Sequence, residues 1–448
     1  MKQQSKFKHN ENQRFSSVSS KMKQTEIGMI PEDWEEKSFG ELCLVRRGAS
    51  PRPIHDFISV SGIPWVKIAD ASAQNTRYIE WTNEFIIEKG RLNTVIVKPG
   101  DLIVSNSATP GIPKFMKINA AIHDGWLLLD PLEIVDKHFL YYLFLNERSK
   151  LVGIADGTVF KNLKTDIVRS HKVVIPKSLD EQRRIAKILW DIDSKIELNQ
   201  QMNKTLEAIG QAIFKHWFID FEFPNEKGKP YKSSGGEMVD SELGKIPKGW
   251  KVGKLREIGR IQPGFAFKST DFINEGIKII KIRNIQNGVV NLDSEDFVND
   301  ELFNITDKKF YLSSGDVIIA MTGAELGKVG IIPKIDEIML LNQRVGKVVS
   351  NSRFLFYLYL TKNEIQDYMK GISSASSAQG NISNSDIENI TIIVPDIHVL
   401  SRFSAVTNSL FDKLVDNLGE NLILSQIRDS ILPKLMSGKI RVPVETNR

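Results

Sequence analysis

Apolar residues fall into two patterns along this chain, and the pair of patterns occurs twice. The first is a series of short runs broken by Gly, Pro, Asn and Asp, such as VIVKPGDLIVSNS, GWLLLDP, KVVIP, KIIKIRNI, GDVIIAMTG and TIIVP. Runs of that length with turn chemistry between them predict a mixed α+β domain in which strands are prominent. FLYYLFLNERSKLVG and FLFYLYLTKNEIQDYMKG carry aromatic and aliphatic residues at helical spacing, which predicts one core-packed helix per domain. The second pattern is long. Residues 179–219 and 398–437 contain no proline except Pro433, and apolar residues recur at alternating steps of three and four. The first stretch has Ile185, Leu189, Ile192, Ile196, Leu206 and Ile213; the second has Phe403, Leu410, Leu414, Leu424 and Ile431. This predicts two coiled-coil-like helices, each spanning roughly 60 Å at 1.5 Å per residue.

The recurrence is a duplication. EIGMIPEDW at Glu26 returns as ELGKIPKGW at Glu242, 216 residues on; GIPWVKIADA at Gly62 returns as GIKIIKIRNI at Gly276, 214 residues on. Gly100-Asp101 matches Gly315-Asp316 and FLYYL at Phe139 matches FLFYL at Phe354, both at offset 215. The period is far beyond the roughly 50 residues of solenoid repeats. The expected fold class is α+β: two duplicated mixed α/β domains, 26–178 and 242–396, separated by two long antiparallel coiled-coil helices, 179–219 and 397–437, as a pseudo-two-fold object. Parallel helices would destroy the two-fold. Such an object suits a bipartite ligand, duplex DNA above all. Aligned at offset 218, the helices pair Asn199 with Asn417 and Asn203 with Asn421, all at seam positions. A polar residue in an apolar seam costs stability but fixes register. FPNEKGKPYKSSGGE, within 220–241, has linker composition. Residues 438–448 remain as a C-terminal tail.

Composition and charge narrow the class. The 448 residues suffice for two cores. The net charge of +5 comes entirely from residues 1–25, which hold six cations and one anion and are expected to be a disordered basic tail. Any nucleic-acid surface in the body must therefore be a local patch. The single cysteine, Cys43, lies in the apolar run ELCLV; it excludes an intrachain disulfide and suits the cytoplasm as the expected location. No apolar run reaches the roughly 20 residues of a membrane span, and the polar N-terminus is unlike a signal peptide.

Catalytic signatures are wanting. There is no Asp/Asn-Pro-Pro-aromatic tetrapeptide and no glycine-rich cofactor loop. GAELGKVG at Gly323 has three residues between its glycines, and Val329 where a phosphate loop needs Ser or Thr, so it reads as a turn between strands. DEQRR at Asp180 opens the first long helix with acids that suit its dipole. Asp316, Glu325 and Lys328 lack the spacing of a nuclease triad, and the seven histidines and one cysteine show no metal-ligand spacing.

What remains is a binding inventory in loops. In the first domain RRGASPR supplies Arg46, Arg47, Ser50 and Arg52; Lys67, Ser105, Asn106, His123 and Asp124 follow or separate apolar runs, and GTVFKN adds Lys161 and Asn162. In the second, QPGFAFKS supplies Gln262, Lys268 and Ser269; Lys281 matches Lys67, Arg283 follows it, and Thr322, Asn342, Gln343, Arg344, Gln379 and Asn381 complete the set. Arg and Lys suit guanine and phosphate; Asn and Gln suit adenine. The copies diverge most in these loops, as expected of one scaffold bearing two targets.

IPEDW and IPKGW, GIPWVKIAD, VIPKSLDEQRRIAKIL, WFIDFEFPNEKGKPY and KLMSGKIRVP, in this order and duplicated, resemble the specificity subunit of Type I restriction–modification systems. The resemblance implies two target-recognition domains, each reading one half of a bipartite DNA sequence, with two antiparallel helices acting as ruler and as dock for two methyltransferase (modification) subunits. Restriction subunits join the larger assembly. The chain itself is then a non-catalytic, cofactor-free recognition subunit, with S-adenosylmethionine, ATP and magnesium on partner subunits. IPDIHVLSRF before the second helix departs from the pattern, lacking the Glu181-Gln182 pair. The rival reading is a duplicated coiled-coil scaffold that binds protein partners without DNA specificity.

Overall fold

The computed structural model describes residues 21–156, 162–293, 296–376 and 380–442. The chain divides into two compact units, Met1–Ser194 with Leu424–Arg448, and Lys195–Ile423.

Each unit carries two matching sheets in the same strand order, except that Ile285–Gln286 is added to the first sheet of the second unit and the strand Ile58–Ser59 is there reduced to the isolated bridge of Ile273 with Phe297. In the first, one sheet runs Cys43–Arg47, Trp126–Pro131, Leu102–Ser105, Pro113–Met116, Tyr78–Ile79, antiparallel except for its last pairing. A second runs Ile58–Ser59, Glu84–Ile86, Ile63–Val66, Ala120–Ile122, Val95–Val97, with Ile63–Val66 and Ala120–Ile122 parallel. In the second unit the matching sheets are Arg260–Pro263, Val345–Val349, Val317–Ala320, Val329–Ile331, Val289–Val290 and Ile285–Gln286, then Phe297–Val298, Ile277–Ile280, Met339–Leu341 and Tyr311–Leu312. The parallel pairings recur at equivalent places, Phe115 with Tyr78 against Val289 with Ile331, and Ala121 with Trp65 against Ile279 with Leu340. The predominance of strands in the two domains follows the run pattern.

The aromatic helix of the first unit, Lys137–Asp156, is buried around its whole circumference from Phe139 to Phe144, which is why that stretch is apolar without a polar face. Its counterpart is two pieces, Arg353–Leu360 and Asn363–Ser376, interrupted at Thr361 and Lys362.

The long helices are Leu179–Phe214, continued by a π-helical turn over Lys215–Ile219, and Ile397–Met436. Both cross the boundary between the units, and in each unit the local segments run antiparallel. In the first unit Arg428 donates to Asp193 at 2.8 Å, and Leu435 and Met436 join Ile185, Ala186 and Leu189 in the domain core. In the second, Phe214, Trp217 and Phe218 join Phe403, Phe411 and Leu414 in the other core. Each core is thus closed by the start of its own helix and the end of the other.

Besides the split of the second aromatic helix, where one helix per domain was expected, three segments differ from the sequence expectation. The tail's last residues are not solvated coil: Met22–Thr25 pairs antiparallel with Gly28–Pro31; residues 1–20 lie outside the described residues. The linker is folded, because its aromatic residues find apolar partners. Phe223 stacks on Tyr231 and Trp250 at 4.6 and 4.9 Å between centroids, and Met238–Ser241 pairs with Gly244–Pro247. The C-terminal tail returns to the first domain: Ile440 and Val442 pack on its core, and Arg441 donates to Glu181 at 2.8 Å and to Asp33 at 3.1 Å. Glu181 is buried, so the pair is sheltered from solvent.

Candidate nucleic-acid interface

The strand Cys43–Arg47 ends where the chain passes against the turn His123–Gly125. Gly48 donates to the carbonyl of Trp126 at 2.8 Å and Ala49 to that of Ile122 at 3.2 Å. A Cβ on Gly48 would lie 2.1 Å from the His123 carbonyl oxygen, so only glycine lets the two backbones approach this closely. The second domain repeats the device: Gly264 donates to Val345, and its Cβ would meet the Asn342 carbonyl oxygen at 2.1 Å. Each domain therefore places a strand-end loop beside a short turn, His-Asp-Gly in one and Asn-Gln-Arg in the other.

In the first domain these side chains converge on Asp124. Ser50 donates to its Oδ1 at 2.7 Å, Arg52 to its Oδ2 at 3.4 Å, and the Arg47 Nε to its backbone oxygen at 2.9 Å. The Ser50 hydroxyl, ahead of the nearby cations, holds the Asp124 carboxyl below the usual carboxylate range. His123 is mostly buried, and burial pushes its pKa down, so the ring is neutral at pH 7. Its Nδ1 accepts from the Gly125 N–H at 2.8 Å, which leaves the proton on Nε2 as a donor. Arg46 is engaged elsewhere, donating to Asp130 at 2.6 Å from the neighbouring strand. Asn162 is exposed, and Lys161 lies outside the described residues. Ser105 and Asn106 are buried and hold backbone. Ser105 donates to Thr109 and accepts from Ile112, and Asn106 donates to the Asp124 carbonyl. Their position behind the turn makes them its support, where the sequence had offered them as surface donors.

In the second domain Gln343 and Arg344 are exposed at the turn, Asn342 is half-buried, and Gln262 donates to the Pro263 carbonyl. Lys268 and Ser269 are exposed at a short helical turn whose opening amide, that of Lys268, donates to Asp271. Thr322 and Asn381 form an isolated bridge; Gln379 lies outside the described residues. GAELGKVG forms the turn after Val317–Ala320 and runs on into the strand Val329–Ile331. Lys67 and Lys281 are equivalent in space as well as in sequence. Each closes a tight turn with its own amide, to Asp70 at 2.8 Å and Asn284 at 2.9 Å, and each ammonium pairs with a carboxylate, Glu84 or Asp296. Arg283 shares Asp296 at 2.6 Å. The sequence reading missed Glu84 and Asp296 as partners, since no local pattern links residues that far apart.

The four seam asparagines meet in the second unit. Asn199 donates to Glu420 at 2.8 Å and to Asn421 at 3.0 Å, and Asn417 donates to Asn203 at 2.8 Å. The Asn199–Asn421 and Asn417–Asn203 contacts are copies of each other under the offset of 218. This helix segment thus carries the two-fold in its own hydrogen bonds. Lys195 completes the cluster, reaching Asn199 and Glu420, both at 3.1 Å.

Cys43 is buried, and burial pushes its thiol up to about 12, the state of an inert core residue. Among the described residues no His/Cys/Asp/Glu cluster could hold a metal ion, and no helix is long and apolar enough to cross a membrane.

Comparison with known proteins agrees with this architecture. The Type I restriction modification DNA specificity domain matches twice, over residues 31–208 and 247–411. The MjaIX specificity subunit of Methanocaldococcus jannaschii, a Type I restriction enzyme component, is 28% identical over 94% of this chain and 97% of its own length. The HindI specificity subunit of Haemophilus influenzae is 25% identical over 91% of this chain and 100% of its own. Among solved structures, the S subunit of the Type-I restriction-modification system of M. genitalium shares the fold with a TM-score of 0.53 at 16% identity, covering 90% of this chain and 96% of that one. The chain belongs to the family defined by the Type I restriction modification DNA specificity domain, which it carries in two copies.

Proposed function

We propose that this chain is the DNA specificity subunit of a Type I restriction–modification complex, with the first domain reading one half of a bipartite duplex target and the second reading the other. The observation that carries the reading is a scaffold whose two sheets recur in the same strand order, one strand added and one lost, and whose equivalent loops differ in chemistry. RRGASPR faces His-Asp-Gly in one copy, and QPGFAFKS faces Asn-Gln-Arg in the other. Arg47, Arg52 and the Nε2 donor of His123 suit guanine edges and phosphates, whereas Gln343 and Arg344 offer an amide and a guanidinium. The long helices set the distance between the half-sites. The chain supplies no chemistry of its own; methyl transfer with S-adenosylmethionine, and ATP and magnesium use, reside on methyltransferase and restriction subunits docked to it.

The test is the methylome of cells co-expressing this chain with its partner methyltransferase, against cells lacking the chain. A new motif of two short blocks around a fixed gap is expected. Exchanging residues 26–178 for another such domain should then alter one block only. A stable complex that binds no duplex DNA and methylates no new motif would favour a protein scaffold instead.

A further inference from the structure

The geometry points to Asp124 as a positioning residue for guanine recognition: we infer that its carboxylate sets Arg47 and Arg52 as a fork, and that the fork takes the O6 and N7 edge of one guanine in the first domain's half-site. This rests on the reading that the domain contacts duplex DNA. An aspartate on a DNA-facing turn repels phosphates, so it weakens non-sequence-specific attraction. Its compensating effect is to restrict two side chains with many rotamers. Asp124 is itself fixed, by the Ser50 hydroxyl at 2.7 Å and, through its carbonyl, by the buried Asn106 amide at 3.1 Å. Arg47 uses Nε on that carbonyl, while its terminal nitrogen stands 3.8 Å from the carboxylate, an ion-pair distance that leaves those N–H groups for another acceptor. Arg52 is held by one Nη at 3.4 Å and is otherwise well exposed. Guanine presents the two adjacent acceptors that such donors match. The second domain has no fork, since Pro263, Lys268 and Gln343 stand at the positions of Arg47, Arg52 and Asp124. This aspartate-held fork is therefore a property of the first domain alone.

The experiment uses the chain assembled with its partner methyltransferase. Methylation is measured on duplexes bearing the motif and on duplexes in which each G·C pair of either block is changed in turn to A·T. The wild-type complex should discriminate at one G·C pair of the first block by roughly 10- to 100-fold in kcat/KM, the worth of one bidentate contact. Asp124→Asn, Arg47→Ala and Arg52→Ala should each erode that preference while leaving second-block discrimination unchanged. Arg52→Ala, at an exposed side chain, keeps the test open if Asp124→Asn folds poorly. A first block without a G·C pair overturns the inference. So do variants that slow methylation of every duplex equally and lower its salt dependence, the signature of phosphate contacts. If the wild-type complex yields no bipartite motif, the functional reading fails first.

Discussion

At the scale of single residues, the duplication is maintained by backbone sterics. Gly62 and Gly276 sit at φ +128° and +147°, and a Cβ on either would approach a carbonyl oxygen at 2.5 or 2.3 Å. Gly48 and Gly264 keep ordinary φ but leave no room for a side chain. Gly48→Ala should force the loop off the His123 turn and destabilise the first domain by about 1–3 kcal/mol, the cost of overpacking. A denaturant midpoint unchanged from wild type would show that the loop yields freely. The imidazoles give a second prediction. Burial lowers the pKa of His123 and of His138. With folded values below the unfolded value of about 6.5, their contribution is complete above that pH and is lost as pH falls toward the folded pKa. The thermal midpoint should therefore drop between pH 7.5 and 5.5, and His123→Gln should flatten that dependence. The repeated glycines were visible in the sequence because the duplication repeats them, although the carbonyls they approach, those of His123, Asn342, Ile86 and Val298, are distant in the chain. The Asp124 fork was visible only as unconnected letters, since Arg47 and its acceptor are 77 residues apart and nothing in a linear pattern records the pairing.

At the scale of elements, the long helices and their seam followed from the three–four spacing, but what the seam residues face did not. Ile185 and Leu189 serve their own domain's core, because in each unit the helix start is covered by sheet and aromatic helix as well as by its antiparallel partner. The ends were misread for a related reason. Segments of polar composition, 220–241 and 438–442, hold a few apolar anchors that dock on a core distant in sequence. The copies solve this docking differently: Arg441 clamps Glu181 in the first unit, and where Val399 replaces that glutamate in the second, a Phe223–Trp250 stack stands instead. Composition averages over such anchors. The asparagine cluster can be tested directly. Asn199→Ala removes one hydrogen bond from each of Glu420, Asn421 and Lys195, which are half-exposed and can turn to water, and should cost roughly 1 kcal/mol. Replacing all four seam asparagines by leucine should raise the melting temperature, since a buried apolar seam needs no polar pairing, yet free the register. The methylated motif would then show more than one gap length. A unique gap with the leucine seam would assign register control to the domain cores.

At the scale of the whole molecule, the proposed ruler has geometric consequences. If the helices set the half-site spacing, lengthening both must change the gap, and the increment must satisfy rotation as well as translation. Four residues add about 6 Å and about 40° of helical phase, whereas seven add about 10.5 Å and fall about 20° short of two full turns. Two base pairs advance about 6.8 Å and about 70°, and three advance about 10 Å and about 100°. Four residues therefore approach a two-base-pair increment in both quantities, while seven match three base pairs in length but miss by about 120° in phase. The insertions belong at Gln201 and Gly419, which are equivalent under the 218-residue offset and lie between the two asparagine contacts. Placed there, they leave unbroken the segments that close the two main cores, residues 185–189 with Leu435 and Met436, and residues 403–414 with residues 214–218. The four-residue variant should methylate a motif with the same two blocks and a gap about two base pairs longer, and the seven-residue variant should be inactive or nearly so. Unchanged blocks with an unchanged gap would mean that some element other than these helices measures the distance.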